Sequence, residues 1–236
     1  VPAISPLVPY IVFEDNHLLV CHKPEGMPVQ SDETGDACLV DWAKNYLVTT
    51  YAKPGEAFMG LVHRLDRPVS GLVLLAKTSK ALARLNKAVA DRAITKRYLA
   101  LVEQAPEPAT GHLVDFLLKT PATNTSRRVG PKHPEGKRAE LAYTTLPDAT
   151  PGPKSSTLLA IDLHTGRHHQ IRVQLSAKGW PIVGDVKYGA EPAGHASSIR
   201  LHAAYLALEH PVTKAKLELF IPPYWAPNAT LPMVKF

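Results

Sequence analysis

Asp66 lies between Arg64 and Arg67 in the stretch VHRLDRPVSGLVLLAKT, Val62 to Thr78. A carboxylate beside cations stays ionised, which suits a nucleophile or an electrostatic stabiliser better than a general acid. Taken alone, Arg-Leu-Asp in a loop also reads as an ordinary surface charge pair, because so short a motif carries little information. Its continuation is more restrictive. Ser70-Gly71 has turn chemistry, and Leu72 to Ala76 is an apolar run too dense to face water on either side. The carboxylate therefore sits just ahead of a buried strand.

A second chemically dense stretch is LHTGRHHQIRVQLSAKGWPIVGDVKYG, Leu163 to Gly189. Thr165-Gly166 turns the chain, and about His168 to Lys178 reads as a short helix stopped by Gly179. Alternation of Ile171, Val173 and Leu175 would also fit a strand; the glycine stop and the cationic last turn favour the helix. His164, His168 and His169 are close in sequence, but Thr-Gly between the first two breaks a shared helical face. With no H-E-x-x-H, paired cysteines or carboxylate cluster at ligand spacing, no metal is expected. Neither phosphate-loop pattern occurs, so no nucleotide cofactor is expected either.

The elements that must position these groups follow from pattern. Residues 1–9 read as an extended arm. Tyr10–Phe13 and Leu18–Cys21 read as two strands around a turn. Asp36 is a candidate cap for a helix with Leu39, Trp42, Ala43, Tyr46 and Leu47 on its apolar face. Ser79 is the candidate cap of an amphipathic helix ending near Arg92. Further strands are expected over Lys96–Val102, Ala139–Leu146 and Ser156–Leu163, and two more between Ile199 and Phe220 around His210-Pro-Val-Thr213. No linker divides the chain.

The 236 residues suffice for a substantial core in one large domain or two small ones, and 45% apolar against 20% charged residues is ordinary for a globular protein. A net charge of +6 fits a polyanion partner. Most of it falls between Lys119 and Arg138, where Lys119, Arg127, Arg128, Lys132, Lys137 and Arg138 face the single acid Glu135. Pro121, Gly130, Pro131, Pro134 and Gly136 make this stretch read as loop-rich, and flexible basic loops are a common route to phosphate contacts. Cys21 and Cys38 form no framework, which makes a reducing cytoplasm the default. There is no apolar run of membrane-spanning length and no charged-then-apolar leader.

His63-Arg64-Leu65-Asp66 with the following Ser-Gly and apolar strand resembles the catalytic signature of the RluA-type family of RNA pseudouridine synthases. The second stretch resembles it too: Thr-Gly-Arg-x-His-Gln-Ile-Arg, then Gly-x-Pro-Ile-x-Gly-Asp and Tyr-Gly. Shorter matches are Lys23-Pro-x-Gly26, Lys96-x-Tyr98-Leu-Ala, Leu201-His-Ala203 and His210-Pro-x-Thr213, so the resemblance runs from about residue 10 to residue 223.

The resemblance implies an α+β catalytic domain over residues 10–236, with a mixed, mostly antiparallel sheet, flanking helices and an RNA-binding cleft. Family members often carry an N-terminal S4-type module, which a first strand at about Tyr10 leaves no room for. Asp66 is then the catalytic aspartate acting on a flipped-out uridine, Arg172 its salt-bridge partner, and Tyr98 the residue that stacks on the base. Arg64 fills the vacated stack, a task that suits a planar guanidinium. His63, Arg167, Gln170 and Leu201 complete the expected substrate-binding set. Arg127, Arg128, Lys132, Lys137 and Arg138 are the expected RNA grip.

Three departures stand out: Val69 where threonine is usual, Gln174 where histidine is, and His22 where asparagine is. These bear on substrate fit more than on activity. The expected partner is ribosomal or transfer RNA, not DNA or a membrane, with a monomer as the working form. Two rivals remain: a catalytically inactive RNA-binding module of the same fold, and a hydrolase that cleaves an N-glycosidic bond.

Overall fold

Buried strands need no alternation, and the longest apolar runs of this chain become the centres of its sheets. A computed structural model describes residues 8–146, 156–192 and 198–232, so residues 1–7 of the expected arm lie outside the described residues. The chain forms two compact units. One holds the residues up to Ile94 with Tyr205–Ile221; the other holds Thr95–Ala204 with the residues from Pro222 onward. The described strand ladders are antiparallel and are accompanied by three α-helices, an α+β architecture.

In the first unit, Tyr10–Glu14 (β1) and Leu18–Lys23 (β2) form a hairpin. Its turn is fixed by Asp15, whose carboxylate accepts the N–H groups of His17 and Leu18, both at 2.7 Å. β2 pairs with Ser70–Ala76 (β4) from Leu18 opposite Ala76 to Lys23 opposite Gly71. Every residue of both strands is buried. The short strand Gly60–Leu61 (β3) also pairs with β4. Leu201–Glu209 (β10) contributes its last five residues to this unit, where they pair with Lys216–Phe220 (β11).

Two helices, Leu39–Thr50 (α1) and Ser79–Ala90 (α2), complete the unit. Ala81 and Leu85 of α2 join Leu18, Val20, Leu72, Leu74 and Leu206 in one core cluster, each buried leucine contributing roughly 1.5–3 kcal/mol.

Both helix starts differ from expectation. Asp36 does not cap α1; the N-cap residue is Cys38, which makes no side-chain cap bond, while Asp36 pairs with Arg67. The cap of α2 is Thr78, not Ser79. Its Oγ1 accepts the N–H of Ala81 at 3.1 Å from an extended backbone, φ −139° and ψ 150°. A cap side chain must lie outside the helix to reach back to its N–H groups, and Ser79 is already inside.

The second unit is built on Thr95–Val102 (β5), Thr110–Thr120 (β6), Thr125–Val129 (β7), Lys137–Thr145 (β8) and Thr157–Leu163 (β9), in the spatial order β5-β9-β8-β6-β7. The basic stretch holds the loops the sequence suggested, and between them strands that it did not signal. It is the end of β6, a 3₁₀ turn at Pro121–Thr123, β7 and the start of β8. Its prolines and glycines serve that turn and residues 130–136, which carry the chain from one edge of β6 to the other.

Gln170–Ser176 (α3) packs on β6 and β7. Gln170 through Leu175 are all buried, so this helix has no polar stripe and its sequence shows no helical period. Gly179 takes a left-handed φ of +81° and ends the segment as expected.

Thr78→Ala is expected to lower the unfolding free energy by about 1 kcal/mol, and Ser79→Ala by only a few tenths. Urea denaturation of the two variants side by side measures the difference.

Candidate active site

Asp66 lies in the loop between β3 and β4, half-buried, with Arg64 and Arg67 exposed on either side. The backbone of this loop is held from within. Lys23, the last residue of β2, is fully buried. Its Nζ donates to the carbonyl oxygens of Pro24 and Met27, both at 2.8 Å, and of Arg67 at 3.1 Å. Arg67 is further tied to Gly26: its carbonyl accepts the Gly26 N–H at 2.9 Å, and its Nε donates to the Gly26 carbonyl at 2.9 Å. The Val69 N–H donates to the Asp66 carbonyl at 3.0 Å, closing a turn around the carboxylate. His63 anchors the other side, its Nε2 accepting the Leu74 N–H of β4 at 3.1 Å. Burial pushes the Lys23 ammonium down to about 7, against the opposing pull of the Asp66 charge.

The other expected residues belong to the second unit. Tyr98 is buried on β5 opposite Ile161, and Leu201 is buried at the start of β10. Arg172 is buried on α3 and makes a bidentate pair with Asp185, Nε to Oδ2 and Nη2 to Oδ1, each 2.7 Å. Burying both charges is costly, and two parallel charge-assisted bonds offset much of that cost.

Tyr188 braces the same guanidinium, which stands 5.0 Å from its ring centroid. The Tyr188 hydroxyl accepts the Ser126 N–H at 2.8 Å and lies 2.7 Å from His169 Nδ1. The Tyr188 carbonyl accepts the Ser176 hydroxyl at 2.6 Å. His169 holds a left-handed φ of +52° immediately before α3. Burial first, and then the Arg172 charge, push its imidazole down to about 2, so it is neutral.

Gln170 shapes the turn ahead of α3. Its Oε1 accepts from Thr165 Oγ1 at 2.7 Å and from the Arg167 N–H at 3.0 Å, and its Nε2 donates to the Glu140 carbonyl at 3.0 Å. The amide is engaged at both ends inside the protein. Arg167 is exposed, with its Nε donating to the Arg138 carbonyl at 2.9 Å.

Of the basic strand residues, Arg128 pairs with Asp115 at 2.6 Å and Arg138 with Glu140. Arg127, Lys132 and Lys137 are exposed. Among the described residues, no group of three or more His, Cys, Asp or Glu side chains is placed to hold a metal ion.

Lys23, Asp185 and Tyr188 were not singled out from sequence as site residues, although each lies in a quoted motif. A lysine inside a buried strand was the available signal for the first. The three positions that depart from the family pattern are all enclosed. Val69 and Gln174 are buried, and His22 is buried in β2 with its ring stacked 4.7 Å from Tyr10. Gln174 Nε2 donates to Asp115 at 2.8 Å.

Residues 17–177 match a family model described as RNA pseudouridylate synthase. The chain belongs to the RNA pseudouridylate synthase family. Its reaction class is thus RNA pseudouridylation, an isomerisation. The chain is 36% identical over 218 residues to ribosomal large subunit pseudouridine synthase D of Zymomonas mobilis, a match covering 88% of this chain and 67% of that one. It is 31% identical over 219 residues to ribosomal large subunit pseudouridine synthase C of Buchnera aphidicola, covering 90% and 66%. The match thus spans about two thirds of the length of these relatives. The solved structure of human RNA pseudouridylate synthase domain containing 4 shares the fold, with a TM-score of 0.73 at 24% identity over 91% of this chain and 88% of that one.

Two outcomes follow for this chain. Lys23 loses its proton near pH 7 when folded and near 10.5 when unfolded. Between those values the unfolded chain holds the extra proton, so stability rises with pH; below 7 the penalty is complete. Lys23→Met should flatten a slope that for one group reaches about 1.4 kcal/mol per pH unit, as urea titrations between pH 7 and 10 would show. Asp185→Ala removes the two-oxygen partner of a buried guanidinium and should cost about 3–5 kcal/mol in the same assay.

Proposed function

We propose that this chain converts uridine to pseudouridine in structured RNA, with Asp66 as the catalytic carboxylate and Tyr98 and Arg172 acting on the same nucleotide. The observation that carries this reading is the Asp66 loop: a half-buried carboxylate on a backbone clamped by buried Lys23, inside the segment that matches the family. The printed names of the relatives, both ribosomal large subunit enzymes, favour ribosomal over transfer RNA as substrate.

In the reaction the C1′–N1 bond breaks, the base turns, and a C1′–C5 bond forms. The proton lost from C5 is balanced by one gained at N1. Attack on C1′, attack on the base and a glycal route each require an ionised carboxylate shielded from water, and the resemblance gives Arg172 the task of keeping Asp66 in that state. Arg64, exposed two residues away, fills the stack left by the extruded uridine. His63, Arg167, Gln170 and Leu201 shape the surroundings of the base. RNA is gripped by the basic strands of the second unit.

Residues 10–236 work as one catalytic domain in this reading, since the family match crosses from one unit into the next without a break. The working form is a cytoplasmic monomer with no DNA or membrane partner. Cys21 and Cys38 are both free thiols, which suits a reducing compartment, and no helix among the described residues is long and apolar enough to cross a membrane.

Asp66→Asn should lower pseudouridine formation by about a thousand-fold or more while RNA binding is retained. The assay is mass spectrometry of a ribosomal RNA transcript incubated with each protein. A wild type that binds the transcript and forms no product would be an inactive binding module, and release of free uracil would mark a hydrolase.

A further inference from the structure

The basic residues between Lys119 and Arg138 do not form one patch. In an antiparallel ladder, directly opposed residues project from the same face and successive residues alternate. Leu117 opposes both Arg128 and Lys137, and Lys119 opposes Ser126. Lys119, Arg128 and Lys137 therefore share the face of Leu117, Ser126 and Ala139. That is the buried face, on which Val173 of α3 and Tyr188 pack. Arg127 opposes Leu118, and Arg138 opposes Phe116, which puts both on the other face.

The α3 side also gains a cation from outside the stretch. Lys187 lies in a 3₁₀ turn at Val186–Tyr188. Its Nζ donates to the Asn124 carbonyl at 3.4 Å, which brings the ammonium to the β6–β7 turn, near the rung formed by Lys119 and Ser126. Ser126 in turn touches α3's approach, with its Oγ 2.9 Å from His168 Nδ1. The charges of Lys119 and Lys187 both reach His169. Both lysines are exposed, and neither has an ion-pair partner among the described residues. Arg128 and Arg138, by contrast, are engaged by Asp115 and Glu140.

We propose that Lys119 and Lys187, brought together from β6 and the 3₁₀ turn, form a site for the backbone phosphates of the RNA on the α3 side of the basic strands. This rests on the RNA reading above and refines it. Two lysines without acidic partners suit phosphate as point charges, and the contact they make is independent of base sequence. Arg127, on the opposite face, lies outside the site.

The test is a salt titration of binding to a transcript of bacterial large-subunit ribosomal RNA, followed by fluorescence anisotropy with the 236-residue chain. Each phosphate contact removed lowers the steepness of log K against log salt by roughly 0.7–0.9. Lys119→Ala and Lys187→Ala should each do so, the double variant by about twice as much, and Lys80→Ala, at an exposed lysine in the first turn of α2, should leave the slope unchanged. Unchanged slopes for the Lys119 and Lys187 variants, or an equal loss for Lys80→Ala, overturn the proposal. So does competition by polyglutamate as strong as that by RNA of equal charge, which would assign the surface to an acidic protein.

Pseudouridine formation by the wild type is scored in the same transcript. Product with unaltered slopes overturns the site alone. Altered slopes without product support the site and overturn the catalytic reading.

Discussion

A lysine without access to water must have its charge met by the protein, and in this chain the groups that meet it are the backbone of the catalytic loop. The Lys23–Gly71 rung is the last of the β2–β4 ladder. Beyond it the strands no longer pair, and the lysine side chain takes over with three hydrogen bonds to carbonyls on both connecting segments. Gly71 adopts a φ of +120°, open to glycine and strained for other residues, which lets the chain leave the loop and enter β4 at that rung. The position of Asp66 thus depends on a buried cation in the last pair of that ladder. An ammonium suits this task because it supplies three donors in directions that an amide could not match.

The second unit treats its buried cation differently. Arg172 is neutralised by a carboxylate, Asp185, and braced by the Tyr188 ring, while Tyr188 is itself fixed by Ser126 and Ser176. A planar guanidinium gains orientation from a two-oxygen partner, which a rotating ammonium would not. In each unit the charged group argued to matter for chemistry sits on backbone that has little freedom to move. Pre-organisation of this kind means that geometry need not be assembled when RNA binds.

What the sequence revealed follows the strength of its local signals. β2 and β4 were legible because continuous apolar runs have few other destinations, and α3 because Gly179 marks its end. The cap of α2 was placed one residue late, since Thr78 and Ser79 are both good caps and only backbone geometry separates them. From β6 to β8 the prolines and glycines mark the turns, while the strands between them, only partly apolar on one face, give little signal. The division into two units left no trace. One boundary falls between Ile94 and Thr95 and another inside β10, with no change of composition at either. The candidate residues came mostly from the resemblance. The roles of Asp185 and Tyr188 lie in contacts between segments distant in sequence, which no local pattern signals.

β7 is the last strand of its sheet among the described residues, five residues long, with one side unpaired by any described strand. An open strand edge is a template on which a second chain can pair. Arg127 and Arg128 are adjacent in β7 and therefore project from opposite faces. A like edge meets the exposed Arg127 charge before backbone hydrogen bonds can form, while the Arg128 charge is met by Asp115. A charge at Arg127 thus disfavours pairing of this edge with its own copies, apart from any role toward RNA. Colloidal behaviour, not only substrate affinity, constrains what this strand can become.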